Sequence, residues 1–156
     1  MQQTYEEIFP GNNFFHLALT VEQYFSQDTP LWWVGEVGQV GGENNNFFST
    51  LPSLSTPSTP TPSTPSTPIA CLWLGNVIDQ VSGKRHRHIF LLYVLPKYRR
   101  RGIGKALMNY AEDWAIALGD SQIGLQVFTD NQAALNLYSQ LGYQTQSLWM
   151  VKKLQK

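Results

Sequence analysis

The chain has a single cysteine, Cys71, among 156 residues, so it forms no internal disulfide and no thiolate metal cluster. A reducing compartment is expected, with Cys71 a small buried strand residue rather than a reactive thiol. No apolar run reaches the roughly 18 residues that mark a membrane span, and Met1-Gln2-Gln3-Thr4-Tyr5-Glu6-Glu7 lacks the basic and apolar regions of a secretory leader. A cytoplasmic protein without a membrane partner is the expectation. Lys and Arg are missing from residues 1–83, which hold seven acids: Glu6, Glu7, Glu22, Asp28, Glu36, Glu43 and Asp79. Residues 84–105 reverse this with eight Lys or Arg and no acid, although the net charge of the whole chain is zero. A block this dense marks a solvated face or a nucleic-acid patch, and its place in the fold decides its meaning.

What is present suits one packed domain: 42% hydrophobic and 13% aromatic residues in a length that buries a core without staples. Residues 49–68 hold six of the nine prolines in a Ser-Thr-Pro tract that cannot form a core, and they read as an overgrown loop inserted between two strands, 31–37 and 69–78. Loop length is tolerated because closure entropy grows only logarithmically. Apolar residues at Phe14, Leu17, Ala18, Val21, Tyr24 and Phe25 predict a helix over 14–25. Strand 69–78, a turn at Ser82-Gly83-Lys84 and strand 88–95 predict an antiparallel hairpin. From Ile103, apolar residues at 106, 107, 110, 111, 114, 117 and 118 form one stripe ended by Gly119, a strongly amphipathic helix. A core strand over 123–128 follows, then a second helix with Ala134, Leu137, Tyr138 and Leu141 on one stripe, capped by Thr129 or Asp130. Residues 143–154 read as one or two further strands. This alternation implies an α/β fold with a mixed, partly parallel central sheet flanked by helices.

The segment from Leu92 to Lys105 carries the chemistry. A buried strand, Leu92-Tyr93-Val94-Leu95, ends at Pro96, the chain turns through Arg99-Arg100-Arg101, and a helix opens on Gly102-Ile103-Gly104-Lys105. Free N–H groups at such a helix start, reinforced by its dipole, make an anion site. The glycines either let the backbone approach phosphate oxygens or serve tight helix–sheet packing.

Arg-x-x-Gly-x-Gly after a Val-x-Pro strand resembles the central acetyl-CoA motif of the GCN5-related N-acetyltransferase (GNAT) superfamily. Residues 131–143, with Asn131, Ala134 and Tyr138 followed by Leu141-Gly142-Tyr143, are similar to that family's second motif, and Met150-Val151-Lys152-Lys153-Leu154 to its last strand. The resemblance covers residues 85–154. It implies acetyl-CoA as cosubstrate, no metal, and a cleft where two parallel strands splay apart. In that cleft the backbone of Leu92, Tyr93 and Val94 would pair with the pantetheine arm. The N–H groups from Arg100 through Arg101, Gly102, Ile103 and Gly104 to Lys105 would hold the pyrophosphate, with Arg99 at the motif's Gln/Arg position.

The reaction so implied is direct attack of a primary amine on the acetyl thioester through a tetrahedral intermediate. It needs a base, an oxyanion donor and an acid. The donor would be a strand N–H near Val94 or Leu95, bent inward at a bulge. Tyr138 is the family's acid for the departing thiolate, and a core-only role is its alternative. Asn131 reads equally as a helix cap or a CoA contact. His88 stands where the histone-modifying branch carries a catalytic Glu, and strand alternation sets it on one face with Phe90 and Leu92. Glu36 and a water-mediated path are the alternative bases. The acceptor would be a small-molecule amine or a protein or peptide amine, and the acidic, aromatic N-terminal half (Phe14, Phe15, Trp32, Trp33, Phe47, Phe48) suits a cationic one. A homodimer is compatible with this reading. Competing readings are a catalytically silent CoA-binding or regulatory domain of the same fold, and a nucleic-acid-binding protein. The second lacks any helix-turn-helix, zinc or RNP-like pattern.

Overall fold

The computed structural model describes residues 1–26, 29–35 and 68–154. Two helices, α1 (Gln2–Ile8) and α2 (His16–Tyr24), precede strand β1 (Leu31–Gly35). Strands β2 (Pro68–Ile78) and β3 (Arg85–Val94) form the predicted hairpin, closed by Gly83 at φ 68° and by the Asp79 N–H to Lys84 C=O bond of 2.9 Å. A short 3-10 turn (Pro96–Tyr98) leads to α3 (Ile103–Ala117), then β4 (Ile123–Leu125) and α4 (Gln132–Gln140). The sheet order is β1-β2-β3-β4. Only the β3–β4 pair is parallel, so the sheet is mixed, as expected. The Pro-rich tract lies outside the described residues except for Pro68, which opens β2, and so do Glu36, Phe47 and Phe48.

The core sits between the sheet and α3. Ile103, Leu107, Met108, Ala111 and Ala115 are buried along one helix stripe, against Ile69, Leu72 and Leu74 of β2 and Ile89 of β3. Each fully buried aliphatic side chain contributes roughly 1.5–3 kcal/mol, so this seam dominates the fold. Cys71 is buried in β2, and burial pushes its thiol pKa up, consistent with an inert strand residue. Arg87 belongs to the same structural layer: it pairs with Asp120 at 2.9 Å, bonds Asn76 and lies 4.8 Å over the Trp114 ring. Arg87 of the basic block thus serves the fold.

Three expectations need correction. The strand expected over 123–128 stops at Leu125. Asn131, rather than Thr129 or Asp130, caps α4, accepting the Ala134 N–H at 3.2 Å, which bears out the cap reading of Asn131. Residues 144–154 form no strand, and Leu148, Trp149, Met150 and Val151 are exposed. A β-favouring sequence becomes a strand only with a neighbour to complete its ladder, and no ladder partner flanks this segment among the described residues.

Strand β3 also contains a bulge. Trp73 pairs with Leu91 and Leu74 with Ile89, so Phe90 is an extra residue. The phase of side chains shifts there. Leu92 and Val94 pack into the core cluster on the α3 side, whereas Phe90 stacks with Trp73, Tyr24 and His88 on the opposite side. His88 thus shares a face with Phe90 but not with Leu92. The Phe90 ring lies over Gly75, where an added Cβ would stand 2.2 Å from it. Gly75→Ala must displace a ring fixed by three aromatic neighbours and is expected to cost about 1–3 kcal/mol, read as a fall of several degrees in Tm. An unchanged Tm would show that the ring moves freely.

Candidate active site

The β3–β4 ladder covers only Arg87–Ile89 and Ile123–Leu125. Beyond Ile89, β3 continues five residues to Val94 without β4 beside it, so the two parallel strands part and leave an open edge. The Leu95 N–H donates to Ile69 C=O of the β2 side at 2.9 Å. Successive strand N–H groups point to opposite edges, so Val94 and Leu92 direct theirs away from β2, into the gap. This corrects the oxyanion-donor expectation: Leu95 is engaged in the sheet, and the bulge lies at Phe90, upstream of Val94.

At the end of this edge the chain turns with Arg100 at φ 61° and Gly102 at φ 80°, both left-handed. Alternating handedness of this kind folds backbone N–H groups into a concave anion nest. Gly102 caps α3 without a side-chain bond, and the first intrahelical bond is Ala106 N–H to Gly102 C=O, 2.9 Å. The N–H groups of Ile103, Gly104 and Lys105 therefore precede the helical ladder, with exposed Arg100, Arg101 and Lys105 around them. The two glycines differ in purpose. Gly102 has open space around its absent Cβ and is needed for its φ, whereas a Cβ on Gly104 would meet Leu137 at 3.5 Å and Leu92 and Val94 at 4.0 Å. A Cβ at Gly104 would thus stand in ordinary contact with α4 and β3, and the position has no left-handed φ.

Through that packing α4 reaches the same end of β3. Tyr138 follows Leu137, is half-buried against the core cluster, and tilts on Tyr143 with ring centroids 5.8 Å apart. Burial raises its pKa, so its hydroxyl holds its proton throughout the neutral range. The Tyr143 pKa is raised too, by burial and by the Glu112 carboxyl beside it. His88 lies in register with Gly124, at the last pairs before the strands part. Burial, then the neighbouring His86, lowers its pKa below the usual histidine value. It is neutral near pH 7.

Arg99 is placed elsewhere than the anion nest. Its Nε donates to Val94 C=O at 2.8 Å and its Nη2 pairs with Glu7 of α1. Tyr93 donates its hydroxyl to the other Glu7 oxygen at 2.5 Å. Burial tends to raise the Glu7 pKa, but the bonds from Tyr93 and Arg99 outweigh it and hold the carboxyl below its usual range, while burial and Glu7 push Tyr93 up to about 12. Asn131 has its side-chain oxygen engaged in the α4 cap. Sequence reasoning missed Glu7, which is separated from Tyr93 by 86 positions. It also missed His86 as a partner of His88.

A family model described as the acetyltransferase (GNAT) family matches residues 63–143. The chain belongs to the GNAT acetyltransferase family. An acetyltransferase of Yersinia pestis (strain Pestoides F) is 34% identical over 82 residues, 51% of this chain and 58% of that protein. The GNAT chain thus spans little more than half the length of this curated relative. Among solved structures, AAC(6')-Iy in complex with the bisubstrate analog CoA-S-monomethyl-acetylneamine has a TM-score of 0.58 at 13% identity, covering 97% of this chain and 87% of that one. The aminoglycoside 6'-N-acetyltransferase AAC(6')-Ih of Acinetobacter baumannii has a TM-score of 0.57 at 18% identity, covering 95% and 84%. At these identities the likeness shows the GNAT fold.

Proposed function

We propose that the chain is an N-acetyltransferase that moves the acetyl group of acetyl-CoA to a primary amine. The observation that carries this reading is the open β3 edge leading, through the Pro96–Tyr98 turn, to a helix start with no side-chain cap and with left-handed Arg100 and Gly102. A strand edge offers amide partners to an extended, amide-bearing arm, and the nest at its end suits a pyrophosphate. The residues fit acetyl-CoA, which would supply an activated thioester. The N–H groups of Leu92 and Val94 would bind the arm, and one of them would donate to the oxygen on which charge develops. Those of Ile103, Gly104 and Lys105 would hold phosphate oxygens, helped by Arg100 and Arg101. Arg99 would act less directly, by tying α1 to the turn through Glu7.

His88, kept neutral by burial and by His86, suits a base that takes the amine proton, and Tyr138, kept protonated by burial, suits an acid for the leaving thiolate. The acceptor would enter on the His88 face, beside α1 and α2. Phe14 stacks there on Tyr5, whereas Trp32 packs edge-on to Tyr110 and Trp114 of α3 and leaves that wall. A cationic amine fits Glu6 of α1, since Glu7 is taken up by Arg99 and Tyr93. We read the chain as one catalytic domain with the Pro-rich tract as a loop. No helix among the described residues is long and apolar enough to cross a membrane.

Acetyl-CoA in large excess over its Kd should stabilise the native state by about 2.7 kcal/mol at a hundredfold excess, several degrees in a thermal-shift scan. A shift with mixed-sequence DNA but none with acetyl-CoA would reverse the assignment.

A further inference from the structure

Across β4 from His88 stands a glycine with a specific shape requirement. A Cβ built on Gly124 would lie 3.2 Å from His86 Nε2 and 3.5 Å from His88 Nδ1. The two imidazoles, two residues apart on β3, thus face the same spot on β4, where a Cβ would press on His86 and stand in ordinary contact with His88. His86 is anchored at its outer edge, where the Gln122 amide nitrogen stands 3.1 Å from its Nδ1. Gln122 is in turn shared with Asp79, whose carboxylate also accepts the Val81 and Ser82 N–H groups of the hairpin turn. This leaves His86 Nε2 as the atom turned toward Gly124. On its other side His88 meets Phe90, at a centroid distance of 5.2 Å, and Phe90 is backed by Tyr24 and Trp73.

We infer that His86, seated by Gln122 over Gly124, is a positioning residue for His88: it fills the space beside the second imidazole and, with Phe90, fixes that ring's plane at the point where β3 and β4 part. The inference rests on the reading of His88 as the base. A base must present its lone pair along one direction, and an imidazole that stacks on Phe90 on one side and shares the Gly124 space with His86 on the other has fewer orientations open to it. Among the described residues around the pair, Arg87 turns to Asp120 on the other side of the sheet, Gly75 and Gly124 carry no side chain, Tyr24 of α2 stacks on Phe90, and Asp79 bonds Gln122. The like charge of a protonated His86 opposes protonation of His88, so removing His86 raises the midpoint of His88.

The test combines histidine ring titration by NMR on the ligand-free protein with the pH dependence of acetyl transfer, in wild type and in His86→Gln, Gly124→Ala and His88→Gln. Gly124 adopts no left-handed φ, so alanine suits its backbone, retains both imidazoles and intrudes only on their shared space. The expected result is a higher His88 midpoint in His86→Gln. In Gly124→Ala we expect displaced His88 ring resonances and, in both variants, turnover reduced roughly tenfold, as for loss of an orienting partner. Unchanged His88 resonances, midpoint and turnover in both variants would overturn the inference. If His88→Gln retains the wild-type pH–rate profile, the base assignment itself fails and His86 has no catalytic group to position. The ring titration still reports whether the two imidazoles are coupled.

Discussion

Tyr138→Phe is expected to lower kcat by roughly 100-fold to 10,000-fold, or somewhat less, the usual contribution of a general acid, with acetyl-CoA Kd and Tm nearly unchanged. The substitution keeps the ring that packs against the core cluster and against Tyr143 and removes only the hydroxyl. That hydroxyl is held in its protonated form by burial, so it has a proton to give at neutral pH. Losing it weakens only the transition state, which appears in kcat and kcat/KM together. A tyrosine serving the core alone predicts a modest Tm change and normal turnover. Measuring kcat, Kd and Tm on both proteins separates the two.

The second large effect is expected at Gly102. Gly102→Glu should weaken acetyl-CoA binding by at least about 100-fold, because a carboxylate at the cap competes for the first-turn N–H groups and for the same dipole end as phosphate. The position has open space, so steric clash does not contribute, but its φ of 80° strains any side chain. Gly102→Ala isolates that strain, about 1–2 kcal/mol, and should weaken binding far less. Equal affinities for the two variants in calorimetry would detach the anion site from the start of α3. Gly104 would make a poorer probe: a glutamate there would be driven against Leu137, Leu92 and Val94 and would report on packing.

Helix α3, the hairpin and the turn between β3 and α3 were legible in the sequence because their signals are local: a 3.6-residue stripe, alternating strands, and glycines at fixed offsets. Helix α1 was not. It has seven residues and no side-chain cap, and its anchors are distant, with Tyr5 packed on Phe14 and Phe128 and Glu7 on Tyr93 and Arg99. The bulge at Phe90 escaped period counting because one inserted residue reverses the faces downstream, which moved Leu92 away from His88. A faint signal existed in Gly75, whose missing side chain makes room for the Phe90 ring. His86 was hidden in the basic run, where it reads as one more surface charge, and only the β4 register set Gly124 opposite the histidines. The apolar stretch 148–151 misled in the other direction, since strand propensity without a neighbouring strand did not yield a ladder.

The most direct test of the central claim is the rate of free thiol release from acetyl-CoA in the presence and absence of a panel of amines, including polyamines, aminoglycosides and lysine-containing peptides. The account predicts release that saturates with at least one cationic amine, is matched by one acetylated product per thiol, and falls in Tyr138→Phe. Acetyl-CoA binding that raises Tm while no amine accelerates thiol release would contradict it, and would mark the chain as a CoA-binding domain without acetyl transfer.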